Sequence, residues 1–278
     1  MRRLTVIFLI IFVVITAYSL SAAKDYTVFD IVGDSISAGV NPDYSGDYGW
    51  VQMLFGLGTT GSPPKSNTIY TLWSNITVYN SARSGSTAIQ WSADYSSWLT
   101  GVKNHHPELV VVYIGGNDFL AYSAAGPITD TEFNIYRNNL RTIIDALHNN
   151  TPNPDIILVN YYDLFDGYSR NLPSAFSTYT SLSDIVIRGN QVIEEVAIEK
   201  GCSLVTVYPN FMHHCYGVDL IPGDTQHLSP DFVKRPLLSN FDIHPNTNGH
   251  NQIYNNVYAQ LVTLKNATTS VDHWMLYH

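Results

Sequence analysis

Several residues far apart in the chain carry groups that together could open an acyl bond. Ser35 ends Gly33-Asp34-Ser35, Gly85 ends the stretch from Ser81, Asn117 lies in Gly115-Gly116-Asn117-Asp118, and Asp242 and His244 lie near the C-terminal end. A serine hydroxyl is a weak nucleophile until a neighbouring imidazole accepts its proton, so such chemistry needs one Ser and one His folded together from distant segments. Ser35 and His244 suit that pairing. A serine opening a helix also presents its own N–H towards developing negative charge, and Gly33 permits a tight turn into that position. Gly85, having no Cβ, lets its N–H approach the same oxygen, and the Asn117 amide supplies a third donor. Each residue alone has an ordinary reading: Ser35 as an N-cap, Gly85 and Gly116 as turn glycines, Asn117 and Asp118 as loop caps, His244 before Pro245 as a surface turn. Independent turns have no reason to supply a nucleophile, oxyanion donors and a base at once.

The elements around them explain how they would meet. Short β-branched and aromatic runs alternate with longer amphipathic segments, the pattern of a parallel sheet wrapped by crossover helices. The strand runs are 26–32, 76–80, 109–114, 155–160 and 203–207. Helical spacing joins Trp50, Val51, Leu54 and Phe55, and again Phe133, Tyr136, Leu140, Ile143, Ile144 and Leu147. A helix carrying Ile185, Ile187, Val192, Ile193, Val196 and Ile198 stops at Lys200-Gly201, and a last one spans about 248–264 with Ile253, Val257, Leu261 and Leu264 on one face. Neither linker nor repeat interrupts 24–266, and 267–278 has no periodicity, so one doubly wound α/β domain is expected. Such sheets place active groups at the carboxyl ends of their strands, and the motifs around Ser35, Gly85 and Asn117 each follow a strand run.

The segments FDIVGDSISAG, NSARSGSTA, VVYIGGNDF and FDIHPNTNGH resemble, in order, the four signature blocks of the SGNH/GDSL hydrolases, spread over essentially the whole mature chain. The resemblance implies a three-layer α/β/α sandwich with a five-stranded parallel sheet of flavodoxin-like type, and a serine esterase needing no cofactor or metal. It implies Ser35 as nucleophile, Gly85 and Asn117 as oxyanion donors, and His244 as base. One position departs from the pattern. The family usually has aspartate three residues before the histidine, where this chain has Phe241, and Asp242 stands two before. Asp242 is expected to orient His244 through a bent loop; the alternatives are a backbone carbonyl near Phe241, or another carboxylate such as Asp231. No G-x-S-x-G elbow occurs, and Ser35 comes early in the chain, which argues against the α/β-hydrolase fold.

The chain of 278 residues, 45% hydrophobic and 13% charged, can build a large core. Its N-terminus reads Met1-Arg2-Arg3, an apolar run to Leu20, then Ser21-Ala22-Ala23, the layout of a secretory signal covering 1–23. The run is short for a membrane span and holds Thr5, Thr16, Tyr18 and Ser19, so cleavage and a secreted or periplasmic location are expected. The formal charge of −9 becomes more negative when Arg2 and Arg3 leave, which disfavours a nucleic-acid partner. Cys202 and Cys215 could form one bridge or remain two buried thiols, and sequons at Asn75, Asn149 and Asn266 matter only in a eukaryotic host.

Weaker signals stay open. His105-His106 and His213-His214 match no metal-binding pattern and read as structural or surface residues. Trp91, Tyr95 and Trp98 could line a cleft or a core face, and 160–168 could border the acyl or sugar site or be a packed loop. The expected function is therefore an exported esterase acting on a lipid or on an acylated, small or polymer-linked, carbohydrate. The alternative is a non-catalytic carbohydrate-binding protein on the same fold. The substrate-binding residues are not legible.

Overall fold

The computed structural model describes residues 24–41, 43, 48–58, 64–124, 129–164, 182–212, 214, 230–233 and 243–267. Five strands, β1 (Val28–Gly33), β2 (Thr77–Val78), β3 (Leu109–Tyr113), β4 (Asp155–Val159) and β5 (Ser203–Val205), form one all-parallel sheet in the order β2-β1-β3-β4-β5. The helices are α1 (Ser35–Ala38), α2 (Trp50–Leu54), α3 (Ile69–Leu72), α4 (Ala88–Ser92), α5 (Trp98–Asn104), α6 (Gly116–Ala124), α7 (Asp130–His148), α8 (Leu182–Lys200), α9 (Tyr208–Phe211) and α10 (Thr247–Asn266). They cover both faces of the sheet: α10 packs with α2 and α3, while α7 packs with α4, α5 and α8. The expected α/β/α sandwich is the fold found.

Its centre is built as the sequence implies. All five residues of β3 are buried, the signature of a strand covered on both faces, so its side chains do not alternate with polar ones. The α7 face buries Phe133, Tyr136, Leu140, Ile143, Ile144 and Leu147, the expected set. Its start is a capping box, in which Thr129 accepts from Thr131 N and Glu132 reaches back to Thr129 N–H at 3.0 Å. In α8 only some of the apolar residues face the core. Ile187 and Ile198 are exposed, and Val186 and Ala197 take the buried positions beside Ile185, Val192, Ile193 and Val196. A run so rich in apolar residues offers more than one stripe, and only packing chooses between them. Strand β2 is shorter than expected because it lies at the sheet edge, where one neighbour alone defines it.

Residues 1–23, expected to be a secretory signal, and the tail beyond Ala267 lie outside the described residues, as does Cys215. Cys202 is half-buried, and burial pushes its thiol up to about 12. No helix among the described residues is long and apolar enough to cross a membrane. Asn75, Asn149 and Asn266 are all exposed.

Candidate active site

The carboxyl ends of β1, β2 and β3 and the start of α10 converge on one place. Strand β1 ends at Gly33 and α1 begins at Ser35, with Asp34 between them as N-cap: Asp34 Oδ1 accepts the Ile36 N–H at 3.0 Å. Ser35 is thereby held in the first turn, its own N–H without a partner inside the helix. Gly33 is required for a reason other than the turn: a Cβ there would lie 2.6 Å from Ser37 and 2.9 Å from the Tyr113 carbonyl. Close packing of α1 onto β3 demands the glycine.

His244 reaches this turn from the other end of the chain, its Nε2 lying 2.8 Å from Ser35 Oγ. The segment before α10 is pinned on two sides. Asn246 donates its N–H to the Phe232 carbonyl at 2.9 Å and its amide to the Asp231 carbonyl at 2.8 Å, and Val233 bridges Pro245. On the other side the Tyr162 hydroxyl donates to the Ile243 carbonyl at 2.6 Å, one peptide away from the imidazole. Tyr162 is itself fixed by stacking on Phe211, 4.5 Å between centroids. Asp242 and Phe241 lie outside the described residues. Tyr162→Phe keeps the ring and removes the tether. Its expected result is a kcat for p-nitrophenyl acetate lowered about tenfold, the worth of one hydrogen bond of about 1–1.5 kcal/mol, with KM unchanged.

The loop after β2 closes a third side. Arg83 N–H donates to the Gly33 carbonyl at 2.9 Å, which lays residues 83–86 against the end of β1. Gly85 sits at φ +77°, a backbone state that side chains disfavour. From β3 comes Asn117, in the first turn of α6, whose amide donates to the Ser86 carbonyl at 2.9 Å. Beside it Asp118 turns inward to accept the Ala88 N–H at 2.9 Å, tying α6 to α4, and burial pushes its carboxyl up to about 7. Ser35, Gly85, Asn117 and His244 thus all lie on segments joined by direct hydrogen bonds.

Beneath Ser35 lies a buried polar layer that sequence reasoning missed. Asp34 Oδ2 accepts the Tyr161 hydroxyl at 2.6 Å, and the carboxylate also accepts the Gly116 N–H, coupling the β1 turn to the β3 turn. Burial still outweighs these donors and pushes Asp34 up to about 6. The signal for Tyr161 and Tyr162 was their place at the end of β4, within the stretch read as either site border or packed loop. The two tyrosines are fully buried, as in a packed loop, and their hydroxyls bond to site segments.

His250, on α10, is fully buried, with Nδ1 accepting the Trp50 N–H at 3.3 Å and Nε2 bonded to the Val40 carbonyl at 3.0 Å. Both bonds suit the neutral ring, and burial pushes its pKa down to about 4. A histidine depressed in the folded state contributes stability that is present above its unfolded pKa of about 6.5 and lost as pH falls towards 4. The cost of His250→Gln is therefore expected to shrink by about 2–3 kcal/mol between pH 7.5 and 4.5, read from denaturant midpoints at each pH.

Of the other flagged residues, His105 Nδ1 lies 2.6 Å from buried Asp30 and its ring stacks on Tyr79, while His106 bonds the Thr151 carbonyl. His213 is outside the described residues. Trp91 is a core residue, Trp98 is half-buried and Tyr95 is 55% exposed, so the aromatic stretch divides between core and surface.

Comparison with known proteins gives the fold and the family. No curated protein matches the chain. Its fold is similar to LAE5, an alpha/beta hydrolase enzyme from the metagenome of Lake Arreo, Spain, with TM-score 0.56 and 21% identity over 87% of this chain and 97% of that one. It is similar to a catalytic mutant of Axe2, an acetylxylan esterase from Geobacillus stearothermophilus, with TM-score 0.56 and 17% identity over 86% and 95%. A lipase/acylhydrolase from Enterococcus faecalis aligns with TM-score 0.51 and 18% identity over 84% and 95%. The model of the GDSL-like lipase/acylhydrolase family matches residues 31–252, a span that runs from the strand before Ser35 to beyond His244, and the chain belongs to that family, an ester-hydrolysing enzyme.

Proposed function

We propose that the protein is an exported serine esterase that hydrolyses carboxylic esters through an acyl-enzyme on Ser35. The observation that carries this reading is the 2.8 Å approach of His244 Nε2 to Ser35 Oγ. Ser35 Oγ attacks the ester carbonyl as its proton passes to His244, and the carbonyl oxygen, now negative, is met by the N–H groups of Ser35 and Gly85 and by the Asn117 amide. His244 returns the proton to the departing alcohol. Water, deprotonated by His244 in turn, then releases the carboxylic acid and restores the Ser35 hydroxyl. Asp242, two residues before His244, is the proposed orienting acid.

Export is supported by the charged, apolar and small-residue order of 1–23. The similarity to an acetylxylan esterase gives a reason to test acetylated polysaccharide beside lipid-like esters. The test is release of p-nitrophenol from acetyl and octanoyl esters, and of acetate from acetylated xylan, by the chain from Lys24 onwards. A fluorophosphonate probe, followed by peptide mass analysis, is expected to label Ser35. A folded protein that turns over none of these, or an Ser35→Ala variant that keeps the rate, overturns the reading.

A further inference from the structure

We propose that Ser86 is a positioning residue of the oxyanion site, a side chain that ties both Gly85 and Asn117 to the turn of the nucleophile. The inference deepens the serine-esterase reading and rests on it. Ser86 follows Gly85 directly and is 1% exposed. Its hydroxyl donates to the Gly33 carbonyl at 3.1 Å and accepts the Trp91 indole N–H at 2.9 Å. Its own carbonyl accepts the Asn117 amide at 2.9 Å. Three segments therefore meet on one residue: the end of β1 two positions before Ser35, the Gly85 turn, and the first turn of α6.

This arrangement does more than close a turn. The turn itself is closed by the Ser86 N–H to the Arg83 carbonyl at 3.1 Å, a backbone bond that any residue could make. The hydroxyl adds a second tie to the Gly33 carbonyl, beside that of the Arg83 N–H, and holds the Gly85 peptide closer to the Ser35 turn. An amide NH₂ carries two hydrogens in one plane. With one of them on the Ser86 carbonyl, that plane is fixed and the second hydrogen is aimed rather than free to rotate, which is the preorganisation that oxyanion stabilisation needs. Trp91, fully buried in the core, anchors the hydroxyl from behind, so the core itself sets the orientation.

The experiment is a double-mutant cycle of Ser86→Ala and Asn117→Ala, read as kcat and KM on p-nitrophenyl acetate, with Ser35→Ala run beside it. Ser86→Ala is expected to lower kcat by about 10–100-fold with KM within twofold, since a group acting through oxyanion donors touches the transition state and not the bound ester. In the Asn117→Ala background the same change is expected to cost clearly less than in the wild-type background, because one of its two targets is already gone. A kcat within threefold of wild type, a loss that multiplies fully with Asn117→Ala, or a raised KM at constant kcat each overturns the proposal. Activity surviving in Ser35→Ala overturns the esterase mechanism instead, so the two failures are distinct. If Ser86→Ala does not fold, Ser86→Cys, close in volume but with only a weak donor, is read against the same expectations.

Discussion

His244→Ala is expected to lower kcat for acetyl-ester hydrolysis by about 10⁴–10⁶-fold while KM moves little, the scale of loss when the base of a serine hydrolase is removed. The argument is geometric first. His244 Nε2 is within hydrogen-bond reach of Ser35 Oγ, and 209 positions of chain separate the two residues, so no local turn explains the contact. Without the imidazole the hydroxyl must lose its proton to water, and its nucleophilicity collapses. The second half of the expectation is a lack of additivity: Ser35→Ala combined with His244→Ala is no slower than either alone, because the pair acts as a unit. Fluorophosphonate labelling of Ser35 is expected to fall in parallel, which ties the loss to the nucleophile rather than to substrate binding. Full labelling together with lost turnover would instead place His244 only in the deacylation half.

How much of this was legible in the sequence depends on what each residue does. Strand and helix periods are local properties, and the five strands and the buried face of α7 follow from them. The candidate site residues were legible for a related reason: the turn at a strand's carboxyl end must hold residue types, such as Gly33-Asp34-Ser35 or Gly116-Asn117-Asp118, that a packed helix has no use for. What stayed hidden are contacts between segments. Nothing in the residue types of Tyr161, Tyr162, Ser86 and Trp91 marks them for a site, and only the fold shows that their polar ends reach the Asp34 carboxylate, the Ile243 carbonyl, the Gly33 carbonyl and the Ser86 hydroxyl. Asp34 itself was read as part of a turn motif, and its burial could not be inferred from a residue type that is usually exposed. Ile187 and Ile198 are the converse case, apolar side chains of α8 that stand exposed.

Asp34→Asn separates stability from catalysis in the same buried layer. Three donors converge on the carboxylate: the Ile36 N–H on Oδ1, the Tyr161 hydroxyl on Oδ2, and the Gly116 N–H. An asparagine offers one oxygen and one NH₂ in place of two acceptors. With its oxygen towards Tyr161 and Gly116, the NH₂ faces the Ile36 N–H; flipped, it faces the Gly116 N–H. Either way a buried donor meets a donor, at about 1–3 kcal/mol. Against that stands the relief of an ionised group in the core. Burial raises Asp34 to about 6, so wild-type stability falls as pH rises from the unfolded value near 4 through 6, by about 3 kcal/mol at 1.36 kcal/mol per unit. The neutral variant has no such slope, and its stability relative to wild type is expected to improve by that amount between pH 4 and pH 8, measured by urea unfolding at each pH. At pH 8 the two terms nearly cancel and the variant is expected to unfold close to wild type. Its kcat is expected to fall about 100-fold, because the same carboxylate holds the Ser35 turn against the Gly116 turn and a displacement of about 1 Å between nucleophile and oxyanion donors costs that much. A buried charge that costs the fold about as much as its bonds return is retained for the position it enforces. A variant that keeps its kcat would assign Asp34 to the cap of α1 alone.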